Sequence, residues 1–405
     1  MYNEQAVLDA FADIRQGKMI ILTDDPDREN EGDLIVAAEL ITPETMTFIL
    51  RHTSGVVCLS LPEKKLQTLS LPLMVPPGAN TSYRGTPFTI SIDARDNITT
   101  GVSSADRVQT ILQTIKEDCT PEELVRPGHI FPLQAHPHGV LARAGHTEGA
   151  IDLVRLAGLK PAGVLCELMN ADGSMMQGKD LHTFAQTHEL KMLTIADLIN
   201  YRRRHETSIT EETSAHLPLE NYGEFTISIL KEIINQHEHV VLSKPTTSGK
   251  PPLVRIHSAC LTGDLFHSLR CDCNKQLHHA LELISKEGGL LIYLNQEGRG
   301  IGLFNKIKAY ALQEEGLDTV QANEQLGLPI DSREYYIAAD VLRQHRISHF
   351  RLLTNNPEKA AALAQYGNFN IDIEALPVFS NPHNLHYLQT KKSKLNHSMR
   401  FDHDE

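Results

Sequence analysis

The sequence predicts two α/β domains, and three observations carry the prediction. At 405 residues the chain exceeds the roughly 250 to 300 at which a single hydrophobic core stops growing. In each half, short apolar runs alternate with amphipathic helical stretches, the pattern of helices packed on a sheet. Between the halves, residues 206–214 are Ser, Thr and Glu with one Ile, a composition too poor in apolar side chains to fold alone. We therefore expect a first domain over 1–205, a short polar linker over 206–217 and a second domain over 218–405.

The elements follow in order. Val7, Leu8, Phe11 and Ile14 mark one face of a helix that stops at Gly17, and Met19 to Leu22 is a buried strand. Thr42-Pro43-Glu44 opens a helix with an oxygen cap and Pro in the first turn, and Val56 to Leu61 reads as the next strand. Thr194 to Asp197 resembles a capping box before a helix that runs into the basic Tyr201-Arg202-Arg203-Arg204. In the second half, Leu253 to Ile256 is a strand, and a helix with Leu277, Ala280, Leu281 and Ile284 on one face closes at Gly288. Leu290 to Leu294 is a strand, Leu303 to Glu315 a helix, Phe350 to Leu353 a strand, and Asn355-Asn356-Pro357 opens a further helix. The tail after Gln389 is expected to fray.

A net charge of -13 disfavours nucleic-acid binding, which needs clustered Lys and Arg to neutralise phosphates. An anionic small substrate is compatible with it, because local pockets can be basic and divalent metals offset phosphate charge. The start MYNEQAVLDA carries acids and no basic apolar leader, and no apolar run approaches the roughly 20 residues that cross a bilayer. A cytoplasmic protein with no membrane partner is expected.

In the first half, Asp24 to Asp33 (DDPDRENEGD) packs six carboxylates and one arginine into ten residues directly after an apolar strand. By itself such a run is either a solvated loop or part of a cation site. Carboxylate and imidazole together suit Mg²⁺ or Mn²⁺, which keep open positions for substrate oxygens. His129 and His146 stand open between structural and ligand roles. Thr99-Thr100-Gly101 is either a phosphate contact through hydroxyl and N–H groups or a simple turn.

In the second half, Cys260, Cys271 and Cys273 form Cys-x10-Cys-x-Cys. Three thiolates suit zinc with an open fourth position, against the alternative of free buried cysteines. His257, His278 and His279 are candidates for a fourth ligand, the last two being expected on a helix surface, and the triplet His237-Glu238-His239 is expected to be exposed. The run Gln296-Glu297-Gly298-Arg299-Gly300-Ile301-Gly302 lies between strand and helix like a dinucleotide fingerprint, but Leu303 stands where its third glycine belongs.

The motifs of the first half, DDPDRENEGD, TSGV, TTGVSSADR, RPGHIFPL, RAGHTE and CELMN, resemble in order and spacing those of 3,4-dihydroxy-2-butanone 4-phosphate synthase over residues 1–204. The resemblance implies Mg²⁺ or Mn²⁺ on Glu29 and His146, sugar-phosphate contacts from Arg28, Glu29, Asp33, Arg143, Ala144, Gly145, His146, Thr147 and Glu167, and catalytic roles for His129 and Glu167. The implied reaction converts ribulose 5-phosphate to dihydroxybutanone phosphate and formate. Ser104 departs from the family's usual alanine, without expected consequence.

In the second half RIHSACLTGD, SLRCDC, QEGRGIGL, NKIKAYALQ and LLTNNP resemble GTP cyclohydrolase II, over about Pro218 to Lys394. This implies zinc on Cys260, Cys271 and Cys273. It also implies GTP, with Mg²⁺, contacted by Arg255, Ile256, His257, Ser258, Ala259, Gln276, Glu297, Gly298, Arg299, Thr319, Thr354 and Lys359. Asp331 matches the proton acceptor, Arg333 the arginine directed at the α-phosphate, and Tyr310 a residue that orients water. Water attack at guanine C8 would open the ring, with loss of formate and pyrophosphate. Ala259 departs from the family's usual glutamate, which predicts a slower GTP site. A second half that only binds nucleotide and regulates the first is the alternative; it would be free to lose Asp331, Arg333 or the cysteines, and all are present. Both families imply a homodimer.

Overall fold

The computed structural model describes residues 2–76, 78–247 and 249–394. The chain divides into two compact units, Met1–Arg202 and Arg203–Glu405, each built on a seven-stranded mixed sheet flanked by helices.

The first sheet contains β1 (Ile20–Thr23), β2 (Gly32–Ala37), β3 (Cys58–Pro62), β4 (Ile92–Ala94), β5 (Leu124–Ala135), β6 (Gly163–Glu167) and β7 (Lys191–Thr194), in the order β4-β5-β3-β6-β2-β1-β7. Successive side chains of a strand point to opposite faces, and here both faces are covered. Ile20, Leu22, Ile35 and Ala37 pack on one side with Val7, Phe11 and Ile14 of the helix Glu4–Arg15. Ile21, Leu34 and Val36 pack on the other with Met46 and Ile49 of the helix Pro43–His52. A strand buried on both faces reads as an unbroken apolar run, which explains Met19 to Leu22. Thr42 caps its helix by accepting from the Thr45 N–H at 3.2 Å, and Thr194 accepts from the Asp197 N–H at 3.0 Å.

The second sheet contains β8 (Ile209–Leu219), β9 (Gly223–Glu232), β10 (Glu238–Lys244), β11 (Leu253–Ser258), β12 (Gly289–Leu294), β13 (His349–Leu353) and β14 (Asn370–Glu374), in the order β14-β13-β11-β12-β10-β9-β8. From β12 to β14 neighbouring strands are parallel, while β8, β9 and β10 form an antiparallel extension on β12. The chain leaves β11 for β12 on one side and later takes up β13 on the other. That reversal opens a crevice at the carboxyl ends of β11 and β13, where ligands bind in open α/β sheets.

Three expectations are corrected. Most of the segment assigned as linker is strand: β8 pairs with β9 from Ile209↔Glu232 to Leu219↔Gly223. Its exposed side chains hid it, because an edge strand is held by backbone hydrogen bonds and here by one buried anchor, Ile209, 5% exposed. The tail beyond Gln389 does not fray at once: the helix Leu385–Lys394 includes it, and residues 395–405 lie outside the described residues. His239 is buried, accepting from the Asn295 N–H at 3.1 Å and facing Glu232 at 3.8 Å, whereas His237 and Glu238 are exposed.

Candidate active sites

In the first unit the acidic run becomes the loop between β1 and β2, and Asp24 organises it. Its carboxylate accepts from the Glu29 N–H at 3.0 Å, the Glu31 N–H at 2.9 Å and Arg28 Nη1 at 2.8 Å. That folding presents Glu29 to His146, which starts the helix His146–Leu156; His146 Nδ1 is 3.9 Å from Glu29 and 3.7 Å from Asp33. Asp24, Glu29 and His146 offer ligand atoms all within 4.8 Å of one another, a cluster able to hold a metal ion. Glu167 enters through register, since β2 and β6 place it opposite Asp33, and its carboxylate accepts from Ser54 Oγ at 2.8 Å. Burial, reinforced by Glu167, pushes the Asp33 carboxyl well up, and burial lowers the His146 imidazole toward its neutral, ligating form. Asp33 Oδ1 and His146 Nε2 are buried with no hydrogen-bond partner.

Arg143, Ala144, Gly145 and Thr147 surround the same helix start. A methyl built on Gly145 would lie 2.7 Å from Arg143 Nη1 and 3.2 Å from Arg28 Nη2, so two guanidinium groups converge there. Arg143 also pairs with buried Glu148 at 2.7 Å, and the Thr147 carbonyl accepts from Ser60. His129, on β5, is set apart. Asp93 holds it twice, at 2.7 Å to Nδ1 and 3.0 Å to the backbone N–H, and no hydrogen bond or ion pair among the described residues joins it to Glu29, Asp33, His146 or Glu167. Of the two readings left open for Thr99 to Gly101, the turn prevails: Asp106 accepts from the Thr99 N–H, the Thr99 hydroxyl and the Gly101 N–H. The Thr99 hydroxyl holds the Asp106 carboxylate down to about 2.

In the second unit the crevice is a cavity of about 420 Å³. From the end of β11 come Arg255, His257, Ser258, Ala259 and Cys260; Cys271, Cys273 and Gln276 come from the start of the helix Cys273–Glu287 and the turn before it. Thr354 and Lys359 follow β13, while Glu297, Gly298 and Arg299 follow β12. Tyr310, Thr319 and Arg333 also lie on the wall. The three cysteine sulfurs lie within 4.8 Å of one another. Hydrogen bonds from Cys271 and Cys273, with the Lys306 ammonium, hold the Cys260 thiol low; the same sharing pushes Cys271 and Cys273 up. Gly263 packs beneath them, where an added Cβ would meet Cys271 Sγ at 2.7 Å and Cys260 Sγ at 3.0 Å.

Arginines and lysines on the wall, six in all, outnumber its three carboxylates. Arg255 is buried, bonded to the Leu353 carbonyl and to Gln276, and burial lowers it to about 10. Arg255 Nε, Arg299 Nη1 and Ser258 Oγ are buried without hydrogen-bond partners. Gly298 and Arg299 both take left-handed conformations, with φ of 63° and 61°, so the turn after β12 is strained at the site. Two expected site residues are placed differently. The Ile256 side chain lies in the core, and only its carbonyl serves the site, accepting from Lys359 Nζ at 2.9 Å. Asp331 is not on the wall but clasps Arg333, which is. His257 does not join the thiolate cluster, which among the described residues comprises Cys260, Cys271 and Cys273; its Nε2 pairs with Asp264 at 3.1 Å.

Lys306 is the residue that motif reading passed over. It is 9% exposed, with Nζ 2.8 Å from Glu297, 3.0 Å from Thr262 and 3.2 Å from Cys260 Sγ. The available signal was its spacing, four residues before Tyr310 on one helix face. Glu297 is likewise built in, accepting from the Leu261 N–H at 2.6 Å and the Gly298 N–H at 3.0 Å.

Two sheets, each carrying its own cluster of side chains able to hold a metal ion, define a two-site enzyme. The family model of 3,4-dihydroxy-2-butanone 4-phosphate synthase matches residues 8–201, and that of GTP cyclohydrolase II matches residues 210–373. The chain is 52% identical to riboflavin biosynthesis protein RibBA of Aquifex aeolicus, over 96% of this chain and 97% of that protein. It is 49% identical to RibBA of Cytophaga hutchinsonii, over 98% and 99% of the two chains. Among solved structures, RibBX, a two-domain 3,4-dihydroxy-2-butanone 4-phosphate synthase from A. baumannii, superposes with a TM-score of 0.66 at 35% identity, covering 91% of this chain and 99% of that one. The chain belongs to the bifunctional riboflavin biosynthesis proteins, a lyase and a hydrolase in one polypeptide. No helix among the described residues is long and apolar enough to cross a membrane.

Proposed function

We propose that the first site binds ribulose 5-phosphate beside Glu29 and His146 with Mg²⁺ or Mn²⁺, and that the second binds GTP, with Mg²⁺, beside zinc on Cys260, Cys271 and Cys273. The observation that carries this reading is the set of buried polar atoms left without partners at both sites: Asp33 Oδ1 and His146 Nε2 in one, Arg255 Nε, Arg299 Nη1 and Ser258 Oγ in the other. Buried polar groups are ordinarily satisfied, so such atoms mark where ligands complete the structure. The donor sets fit the ions: oxygen and imidazole for a hard cation, three thiolates for zinc. When bound, these ions supply Lewis-acid polarisation of sugar oxygens and of the guanine ring.

The chain's own groups do the rest. Arg28, Arg143 and the N–H groups at the start of the helix His146–Leu156 receive the sugar phosphate. Glu167 and His129 move protons during enolisation and dehydration, with Asp93 fixing the His129 ring. In the second site Glu297, with Lys306 balancing its charge, reads the guanine edge. Arg255, Arg299 and Lys359 meet the triphosphate, Arg333 is directed at the α-phosphate, and Asp331 accepts a proton. Gln276 and Thr354 position these groups, and Tyr310 orients water. We further assign a homodimer in the cytoplasm, a compartment that suits six free cysteines. The test incubates the purified protein with each substrate separately. Formate from ribulose 5-phosphate, and formate with pyrophosphate from GTP, are expected; absence of both GTP products from zinc-loaded protein overturns the second assignment.

A further inference from the structure

The two family matches end at residue 201 and resume at 210, so the basic run at the junction belongs to neither. Yet the second unit begins at Arg203, and the stretch from there to Ser208 is built into it. Arg203 makes a forked ion pair with Glu334, Nη1 to Oε1 at 2.7 Å and Nη2 to Oε2 at 2.9 Å. Its guanidinium carbon lies 4.1 Å from the ring centroid of Tyr336, and its side chain is 15% exposed. The Arg203 carbonyl accepts from Arg343 Nη2 at 3.0 Å, and the Ser208 N–H donates to buried Asp340 at 2.6 Å.

Glu334 and Tyr336 end the short segment that carries Asp331 and Arg333. The opposite edge of that segment is fixed by the turn after β12: the Ser332 N–H donates to the Arg299 carbonyl at 3.0 Å, and Gln296 Nε2 donates to the Glu334 carbonyl at 2.8 Å. Segment 331–336 is thus held between the turn that contributes Glu297 and Arg299 and a side chain from the junction. We propose that Arg203 is a positioning residue of the GTP site. It fixes the 331–334 segment so that Arg333, clasped by Asp331, meets the phosphate chain in register, and the junction is thereby a working part of the second enzyme. The inference rests on the assignment of Asp331 and Arg333 to GTP chemistry. An isolated ion pair at the surface stabilises little, but a fork combined with stacking over a buried ring fixes direction, which lysine cannot reproduce.

The test uses the full chain, whose first activity is an internal control for folding. Arg203→Ala is expected to lower kcat for GTP by about tenfold or more while KM for GTP stays within about twofold, since misplaced reacting groups cost rate more than binding. Ribulose 5-phosphate turnover and zinc content should match the parent. Arg203→Lys should recover part of the rate, and Arg203→Ala combined with Glu334→Gln should be no slower than the slower single variant. A parental GTP kcat in Arg203→Ala overturns the proposal. So does equal loss of both activities, or loss of zinc, which would make Arg203 a general structural residue. If Arg203→Ala does not fold, Arg203→Lys decides: a reduced GTP kcat beside intact synthase activity supports the proposal, and a parental kcat overturns it. Asp331→Asn separates the two layers, because full GTP turnover in that variant means that the underlying assignment of the segment has failed.

Discussion

Gly263 shows how an absent side chain can set a metal site. A Cβ there would overlap Cys271 Sγ at 2.7 Å and crowd Cys260 Sγ at 3.0 Å, so Gly263→Ala must spread the thiolates. Groups that merely orient ligands cost about 10- to 100-fold in metal affinity when altered, and a loss of that order is expected from zinc titration against a chelator; parental zinc affinity would show that the cysteines do not act as one site. Asp106 is a structural counterpart in the first unit. Its carboxylate accepts three bonds from Thr99 and Gly101 and is held down to about 2. A depressed carboxyl contributes stability that is complete above its unfolded value of about 4 and is lost as pH falls toward the folded value. In Asp106→Asn the amide nitrogen faces donors, so the variant should be less stable at pH 7, and the gap in urea unfolding should narrow below pH 4; a gap independent of pH would rule out this account. Glu29, His146 and the cysteines were candidates because the motifs around them resemble two known families; residue type and spacing alone left His146 and the cysteines between ligand and structural roles. Asp93 and Lys306 were not, because a single Asp or Lys acquires meaning only from what the fold places beside it.

β8 makes the corresponding point for elements. Its sequence, ITEETSAHLPL, lacks the apolar alternation of a half-buried strand, yet it pairs with β9 along its length. Backbone hydrogen bonding is insensitive to side-chain polarity, and an edge strand can be polar if one anchor is buried. That anchor is Ile209, packed with Leu230, Val241 and Tyr336. Ile209→Ala should destabilise the second unit by about 2 kcal/mol or more through the cavity it leaves, measured by denaturant unfolding with hydrogen exchange on β8 and β9. Unchanged exchange would mean that the segment is only a tether. Helices and parallel strands were easier to read than the antiparallel extension, because both signal themselves by apolar periodicity or by runs buried on two faces.

At the scale of the whole molecule, two activities on separate sheets should separate by mutation. His146→Ala is expected to abolish ribulose 5-phosphate turnover and leave GTP turnover nearly intact, and Cys271→Ser to do the reverse with loss of zinc only in the cysteine variant. Loss of both activities from either change, in folded protein, would refute independent sites. RibBX, named for the synthase alone, aligns over 91% of this chain, so the two-unit architecture does not itself dictate two activities. What favours both here is the retained set of Cys260, Cys271, Cys273, Asp331 and Arg333. The sequence by itself determined the α/β class and, through the resemblance of its motifs to two families, the two chemistries, because motif order and spacing are written along the chain. Only the tertiary structure decided that Thr99 serves a turn, that Ile256 faces the core and that the junction belongs to the second unit. Arg203 meets Glu334 across 131 residues of chain, and a partner that distant is chosen by packing, which leaves no local pattern to read.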